Sequence, residues 1–307
     1  MGDNMYDIII VGAGPAGLTA AVYARRANKS VLILEKAAFG GQMTFSPKLE
    51  NYPGFETVSG SELADKMVEQ ALSQGADVEV EAVTGITVEN GIKKVATEDG
   101  NLYEAKAVII AGGAKHRHLG VPGEEKFIGE GISFCAVCDG AFYKGKEVVL
   151  IGGGNSALQE AILLAETSSK VTVVQNLDFL TGEQKLQDIL RTRQNVEIIT
   201  GAVVESVNDT DEFSGITIKF TATGETKQIT ADGMFVAIGL EPENGIFEGI
   251  ADLDQWGYID SGEDCATKTA GVFVAGDCRK KAVRQITTAT ADGAVAAISA
   301  CRYIDSL

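Results

Sequence analysis

Apolar and polar positions along the chain follow a strand–helix–strand rhythm that occurs twice. Asp7-Ile8-Ile9-Ile10-Val11 is an almost unbroken apolar run of strand length, and helical spacing of apolar residues follows over 16–28. Val31-Leu32-Ile33-Leu34 completes this first unit. The spacing then predicts a helix over 61–73, with Ser61 as its cap and Leu63, Met67, Val68 and Leu72 on its apolar side. Alternation over 77–106 predicts a small antiparallel sheet with turns at Asn90-Gly91 and Asp99-Gly100, and 108–113 reads as a separate buried strand ending in a glycine turn. The opening pattern returns at Lys146-Glu147-Val148-Val149-Leu150-Ile151, continues in a helix through Glu160 and Leu164, and reaches a strand at Val171-Thr172-Val173-Val174. Further strands are predicted over 235–239 and 271–277, and a long helix over 282–304.

Both strand-to-helix junctions are rich in glycine. In Gly12-Ala13-Gly14-Pro15-Ala16-Gly17 a strand precedes and a helix follows, the context in which glycines let backbone N–H groups approach a pyrophosphate at the positive helix end. Gly12, Gly14, Pro15, Ala16 and Gly17 are therefore candidate dinucleotide contacts. Glu35 ends the second strand, close to the spacing at which a carboxylate accepts hydrogen bonds from an adenosine ribose. Gly152-Gly153-Gly154-Asn155-Ser156-Ala157 repeats the junction, and Gln175 stands as far beyond Gly152 as Glu35 does beyond Gly12. Here the pattern breaks. Gln175 is neutral, Leu177 is apolar, Asp178 comes three residues late, and no cation occurs before Lys185. The second unit thus keeps its glycines, which a tight turn needs with or without a nucleotide, but lacks a reader for the ribose or a 2′-phosphate. Near the end of the chain a strand closes on Gly276-Asp277, where the carboxylate could reach a ribityl or pyrophosphate hydroxyl.

A length of 307 residues suggests about two domains, with Gly120-Val121-Pro122-Gly123-Glu124 as the expected crossing between them. The formal charge of -17 argues against a nucleic-acid surface, which needs clustered Lys and Arg. No apolar run approaches the roughly 18 residues of a membrane span, and the first residues carry no secretory pattern, so a cytoplasmic protein is expected. The only histidines, His116 and His118, lie in Lys115-His116-Arg117-His118, read as a solvated basic loop, and no metal site is expected. Arg279, Lys280, Lys281 and Arg284 form the densest positive cluster.

Of the 5 cysteines, only Cys135 and Cys138 form a Cys-x-x-Cys. Such a pair lets one thiol attack a partner disulfide while the other resolves the mixed disulfide. A zinc half-site would need a second ligand pair, which the dispersed Cys265, Cys278 and Cys301 do not offer. The residues support a redox pair with an adjacent carboxylate, Asp139, without ordering the two sulfurs.

Gly12 to Gly17, Gly40-Gly41-Gln42, Asn51-Tyr52-Pro53-Gly54, Cys135 to Gly140, Gly152 to Ala157, Gly276-Asp277 and Arg284-Gln285 stand in the order of the low-molecular-weight thioredoxin reductases. The chain resembles that family over nearly its whole length. The resemblance implies an α/β fold of two nested Rossmann-like, three-layer ββα dinucleotide-binding domains. One is a discontinuous FAD-binding domain from 1–117 and 246–307; the other is an inserted Cys-x-x-Cys domain, 118–245. It implies FAD as cofactor, with Gly41, Gln42, Asn51, Gly276, Arg284, Gln285 and Ile286 joining the first glycines, Glu35 and Asp277 around it. It further implies that Cys138 faces the flavin, Cys135 attacks thioredoxin, Asp139 assists proton transfer, and the protein is a homodimer.

Members of the family that use NADPH carry a His-Arg-Arg run and a further Arg beyond it, where this chain reads Gln175-Asn176-Leu177 and Thr181-Gly182. Charge-assisted hydrogen bonds contribute about 1.5–3 kcal/mol each, so losing all of them removes NADPH selectivity. The chain therefore resembles the pyridine-nucleotide-independent branch, in particular the ferredoxin-dependent flavin thioredoxin reductases, with ferredoxin as expected donor and thioredoxin as acceptor. The competing readings are an NAD(P)H-dependent thioredoxin reductase with an unusual ribose pocket, a dithiol oxidase using oxygen, and a flavin-bound sensor without turnover. Ferredoxins are acidic and so is this chain, so docking is expected to use a local patch, with Lys280 and Lys281 as its candidates.

Overall fold

The computed structural model describes residues 5–45, 49–134, 136–208 and 211–307. From the start of the chain come β1 (Tyr6–Val11), α1 (Pro15–Arg26), β2 (Val31–Leu34), α2 (Gly60–Ser73), β3 (Asp77–Glu79), β4 (Val83–Glu89), β5 (Ile92–Thr97), β6 (Leu102–Ile110) and β7 (Lys115–His116). Next are α3 (Glu124–Phe127), β8 (Ile132–Ser133), α4 (Ala136–Asp139), β9 (Glu147–Ile151), α5 (Asn155–Leu164), β10 (Lys170–Val174), α6 (Gln184–Arg191) and β11 (Val196–Ile199). The meander β12 (Ala202–Val207), β13 (Gly215–Phe220) and β14 (Thr226–Thr230) leads to β15 (Gly233–Val236), β16 (Leu240–Glu241), β17 (Val272–Val274) and α7 (Ile286–Asp305). The chain divides into two units, one of residues 1–115 and 241–307, the other of residues 116–240.

The first unit is built on a seven-stranded sheet in the order β3-β2-β1-β6-β5-β4, with β17 also paired to β6. β6 is its spine: it runs parallel to β1 along its length, antiparallel to β5 at its start (Lys93↔Ala105) and parallel to β17 at its end (Val272↔Val108). The separate strand expected over 108–113 is the second half of this one. No turn residue interrupts the passage from the half-exposed Leu102–Lys106 stretch into the buried Ala107-Val108-Ile109-Ile110, so the backbone stays extended. Ile8, Ile10, Ile33 and Ile109 face α1 and α7, while Ile9, Leu32, Val108 and Ile110 line the opposite core. The two helices approach closely because small residues meet: a side chain on Gly293 of α7 would overlap the Ala16 carbonyl oxygen of α1.

The second unit carries a five-stranded parallel sheet, β11-β10-β9-β15-β8, and the antiparallel meander. The expected crossing at 120–124 lies inside this unit. Glu124 is buried there, and its carboxylate accepts the N–H groups of Leu119 and Gly120 at 2.8 and 2.6 Å. Nor is the basic loop simply solvated: the His116 and His118 rings stack on Phe134 at centroid distances of 5.8 and 4.8 Å, and burial pushes the His116 pKa down. Among the described residues no helix is long and apolar enough to cross a membrane.

Candidate functional site

The first glycine turn sits at the carboxyl end of β1, between β2 and β6, where ligands of open α/β sheets bind. Gly12 has φ +106, and any side chain on it would overlap the Ala111 carbonyl oxygen. Gly14 caps α1, Pro15 takes the first helical position, and a Cβ on Gly14 would meet nothing within 4 Å. Glu35, 9% exposed, accepts the Ala13 N–H on Oε2 at 2.7 Å and the Ala37 N–H on Oε1 at 3.0 Å. The carboxylate therefore ties the glycine turn to the end of β2 while keeping lone pairs for a further donor. The Gly40-Gly41 loop closes on the same turn: Gly40 N–H donates to the Ala13 carbonyl at 2.8 Å, and Gln42 is exposed beside it. Asn51 Nδ2 donates to Gln285 Oε1 at 3.0 Å, Gln285 caps α7, and Ile286 packs on the Met43, Leu49 and Leu63 cluster.

Gly276-Asp277 reaches this groove from β17, held by Asp292 on α7. Asp292 Oδ2 accepts the Gly276 N–H at 3.1 Å and Lys281 Nζ at 3.0 Å, while Oδ1 accepts Arg279 Nη1 at 2.8 Å. Arg284 lies 3.9 Å over the Tyr258 ring. Burial pushes the Asp277 carboxyl upward, against the pull of Lys281 and Arg284. Asp277 Oδ1 is buried without a hydrogen-bond partner among the described residues, its neighbour Lys281 Nζ standing 3.5 Å away.

The second glycine turn is arranged differently. The chain from Gln175 folds back over it, so that Thr181 and Gly182 donate their N–H groups to the Gly153 carbonyl at 2.8 and 2.9 Å. The Gln175 side chain is 5% exposed and would stand 2.6 Å from a Cβ on Gly153. At the start of α5, Asn155 and Glu183 bond reciprocally: Glu183 N–H donates to Asn155 Oδ1 at 2.6 Å, and Asn155 Nδ2 to Glu183 Oε1 at 3.0 Å. A carboxylate thus stands beside the first residue of α5, where it disfavours a second anion.

Cys135 lies outside the described residues, as does the side chain of Cys138 on α4. What surrounds them is defined. Asp139 is half-buried and accepts the Ser133 hydroxyl on Oδ2 at 2.6 Å. From below, the Glu160 carboxyl of α5 accepts the backbone N–H of Ala136, and burial raises its pKa to about 7.

A family model for pyridine nucleotide-disulphide oxidoreductases matches residues 6–293. The thioredoxin reductase of Bacillus subtilis is 42% identical over 306 residues, 99% of this chain and 96% of that one. The chain belongs to the low-molecular-weight thioredoxin reductase family. The crystal structure of Lactococcus lactis thioredoxin reductase superposes with a TM-score of 0.96 at 38% identity, covering 98% of this chain and 100% of that one. A ferredoxin-flavin thioredoxin reductase from Clostridium acetobutylicum gives a TM-score of 0.55 at 28% identity, covering 99% and 98%. This chain is accordingly a flavin disulfide reductase of thioredoxin reductase type, with the family's α/β fold and FAD dependence.

The first groove fits FAD. Asp277 Oδ1, buried with only Lys281 Nζ at 3.5 Å, keeps room for a closer donor, and the faces of Gly14, Gly112 and Gly113 are open within 4 Å. Sequence reasoning missed Ser133, Glu183 and Glu160. Only Glu160 left a readable signal, since it falls in the stripe of Ala157, Ala161 and Leu164 that α5 buries. Its raised pKa also has a consequence for stability. The unfolded carboxyl titrates near 4.5 and the folded one near 7, so the folded state is penalised as pH rises from 4.5 through 7. Glu160→Gln removes the ionisation, and its stability relative to the parent chain is expected to rise by on the order of 3 kcal/mol between pH 5 and pH 8. Urea denaturation at both pH values checks this; equal shifts for the two chains would contradict it.

Proposed function

We propose that the chain reduces thioredoxin with electrons taken singly from reduced ferredoxin, passed through FAD to a Cys135–Cys138 disulfide, without NADPH. Residues 1–115 and 241–307 would form the FAD domain, and residues 116–240 the redox domain. Bound FAD would supply the exchange between one-electron and two-electron chemistry that a nicotinamide does not. Gly12 to Gly17, Gly41, Glu35 and Asp277 would hold the cofactor, with Asn51, Arg284 and Gln285 completing its surroundings. Cys135 would attack the thioredoxin disulfide and Cys138 would resolve the mixed disulfide. Asp139, oriented by the Ser133 hydroxyl, would hold the proton that the departing thiolate needs. The remaining cysteines are poorly suited to exchange: Cys265, Cys278 and Cys301 are buried, and burial pushes all three thiols up, those of Cys265 and Cys278 to about 11.

The observation that supports the donor assignment is the missing ribose reader at the second turn, where neutral Gln175 is buried and no Arg or Lys follows before Lys185. A nicotinamide nucleotide would approach the exposed Glu183 carboxylate, with no Arg or Lys at the ribose position to offset the repulsion. The docking patch needs revision. Lys281 is turned inward to Asp277 and Asp292 at 10% side-chain exposure, leaving only Lys280, 52% exposed and 3.3 Å from Asp260. Titration with NADPH and with NADH by calorimetry is expected to give dissociation constants on the order of 1 mM or weaker. Micromolar binding of either would favour the nicotinamide-dependent alternative.

A further inference from the structure

Within the positive run that begins at Arg279, two cations turn inward and join two carboxylates in a chain of alternating charge. Arg279 Nη1 donates to Asp292 Oδ1 at 2.8 Å, Asp292 Oδ2 accepts Lys281 Nζ at 3.0 Å, and Lys281 Nζ lies 3.5 Å from Asp277 Oδ1. The side chains of Arg279, Asp292 and Lys281 are 14, 11 and 10% exposed, that of Asp277 29%. Because Asp277 Oδ1 is itself buried, the open part of this side chain lies on its Oδ2 side. We propose that Lys281 is a positioning residue for the flavin: it holds Oδ1 of Asp277 inward and so presents Oδ2 to bound FAD. The inference rests on reading Asp277 as a contact of FAD.

The tie between α7 and the end of β17 does not need this lysine. Asp292 accepts the Gly276 N–H at 3.1 Å and is neutralised by Arg279, which is itself fixed by Ser261 Oγ at 2.7 Å and the Gly262 carbonyl at 2.8 Å. Burying a further ammonium costs free energy unless its charge is matched nearby. Since Arg279 matches Asp292, the match for Lys281 is Asp277. Of the three donors on Lys281, Asp292 Oδ2 and Thr288 Oγ1, at 3.0 and 3.3 Å, take two and leave one for Asp277 Oδ1. Arg284 holds the backbone of the same residue, donating to the Asp277 carbonyl at 3.2 Å. Backbone and one carboxyl oxygen are thus held from the protein side, which stops the carboxylate from turning. A ligand hydroxyl then meets an acceptor already aimed, and binding loses less side-chain freedom.

The test is a double-mutant cycle on the FAD-loaded full chain, with dissociation constants read from flavin fluorescence over a dilution series and thermal melts in parallel. Asp277→Asn is expected to weaken FAD binding about tenfold to 100-fold, and Lys281→Met, similar in length but uncharged, about tenfold. In the Asp277→Asn background, Lys281→Met should weaken it by less than about twofold further. A lysine that only braces the fold would have the same effect in both backgrounds, so additive effects overturn the inference, as does full FAD affinity in Lys281→Met. A Lys281→Met chain that folds in neither background overturns it too, and one that folds only beside Asp277→Asn supports it. Full FAD affinity in Asp277→Asn sinks the reading of Asp277 as a flavin contact, whereas weakened binding there with no effect of Lys281→Met sinks only the role of the lysine.

Discussion

Replacing Cys138 with serine is expected to lower thioredoxin reduction by at least about 10³-fold, a barrier increase of about 4 kcal/mol, while FAD remains bound. The size follows from chemistry: serine oxygen forms no disulfide, so the mixed disulfide with thioredoxin cannot be resolved, and no dithiol can be regenerated. Rescue by another cysteine is closed off. At a pKa of about 11, the thiolate fraction of Cys265 or Cys278 at pH 7 is about one in 10⁴, and both side chains are buried. Cys135→Ser should be equally inactive and, unlike Cys138→Ser, should not accumulate a mixed disulfide with thioredoxin. A coupled thioredoxin assay with a donor-independent chemical reductant of the flavin checks both. Retention of a tenth or more of the activity by either variant would contradict the assignment.

The second large effect concerns the first glycine turn. A Cβ on Gly17 would overlap the Gly12 carbonyl oxygen and lie 3.2 Å from Ile10 Cγ2, so Gly17→Ala must open the junction between β1 and α1. FAD retention is expected to weaken by at least about 100-fold, the equivalent of losing one or two well-aligned backbone contacts to an anion. Gly14→Ala is the informative partner. Its Cβ would meet no protein atom within 4 Å, and Gly14 has φ -77, so this chain should fold normally. Any loss of flavin from it reports on the ligand face alone. Flavin absorbance after desalting, with thermal melts in parallel, distinguishes the cases; full retention of FAD by Gly17→Ala would contradict the groove assignment.

The features legible in the sequence were local ones. A strand, a glycine turn and a helix are contiguous, so both Rossmann-like junctions could be read from spacing, and the neutral Gln175 marked the second as unusual. What escaped depends on residues distant in sequence or on the direction of a side chain. The return of the chain from Gln175 to Glu183 over the second turn is a tertiary closure, made by the backbone N–H groups of Thr181 and Gly182, which leave no signal in the residue types. Lys281 belongs to a positive run that reads as a surface patch, yet Asp292, nearly two turns into α7, draws it inward. β6 reads as two strands because its polar-alternating and apolar halves serve different neighbours, β5 and β17, along one continuous backbone. Gly120 to Glu124 resembled a linker in composition, but Glu124 satisfies the loop's own N–H groups and makes it part of a packed unit.

The central claim, that electrons enter without a nicotinamide, is tested most directly by anaerobic mixing of the FAD-loaded protein with reduced ferredoxin and, in a matched sample, with NADPH. Prompt bleaching of the flavin absorbance by ferredoxin is expected and, at equal concentration, bleaching by NADPH at least about 100-fold slower, as for a site without phosphate contacts. Rapid bleaching by micromolar NADPH, with no reaction toward ferredoxin, would contradict it.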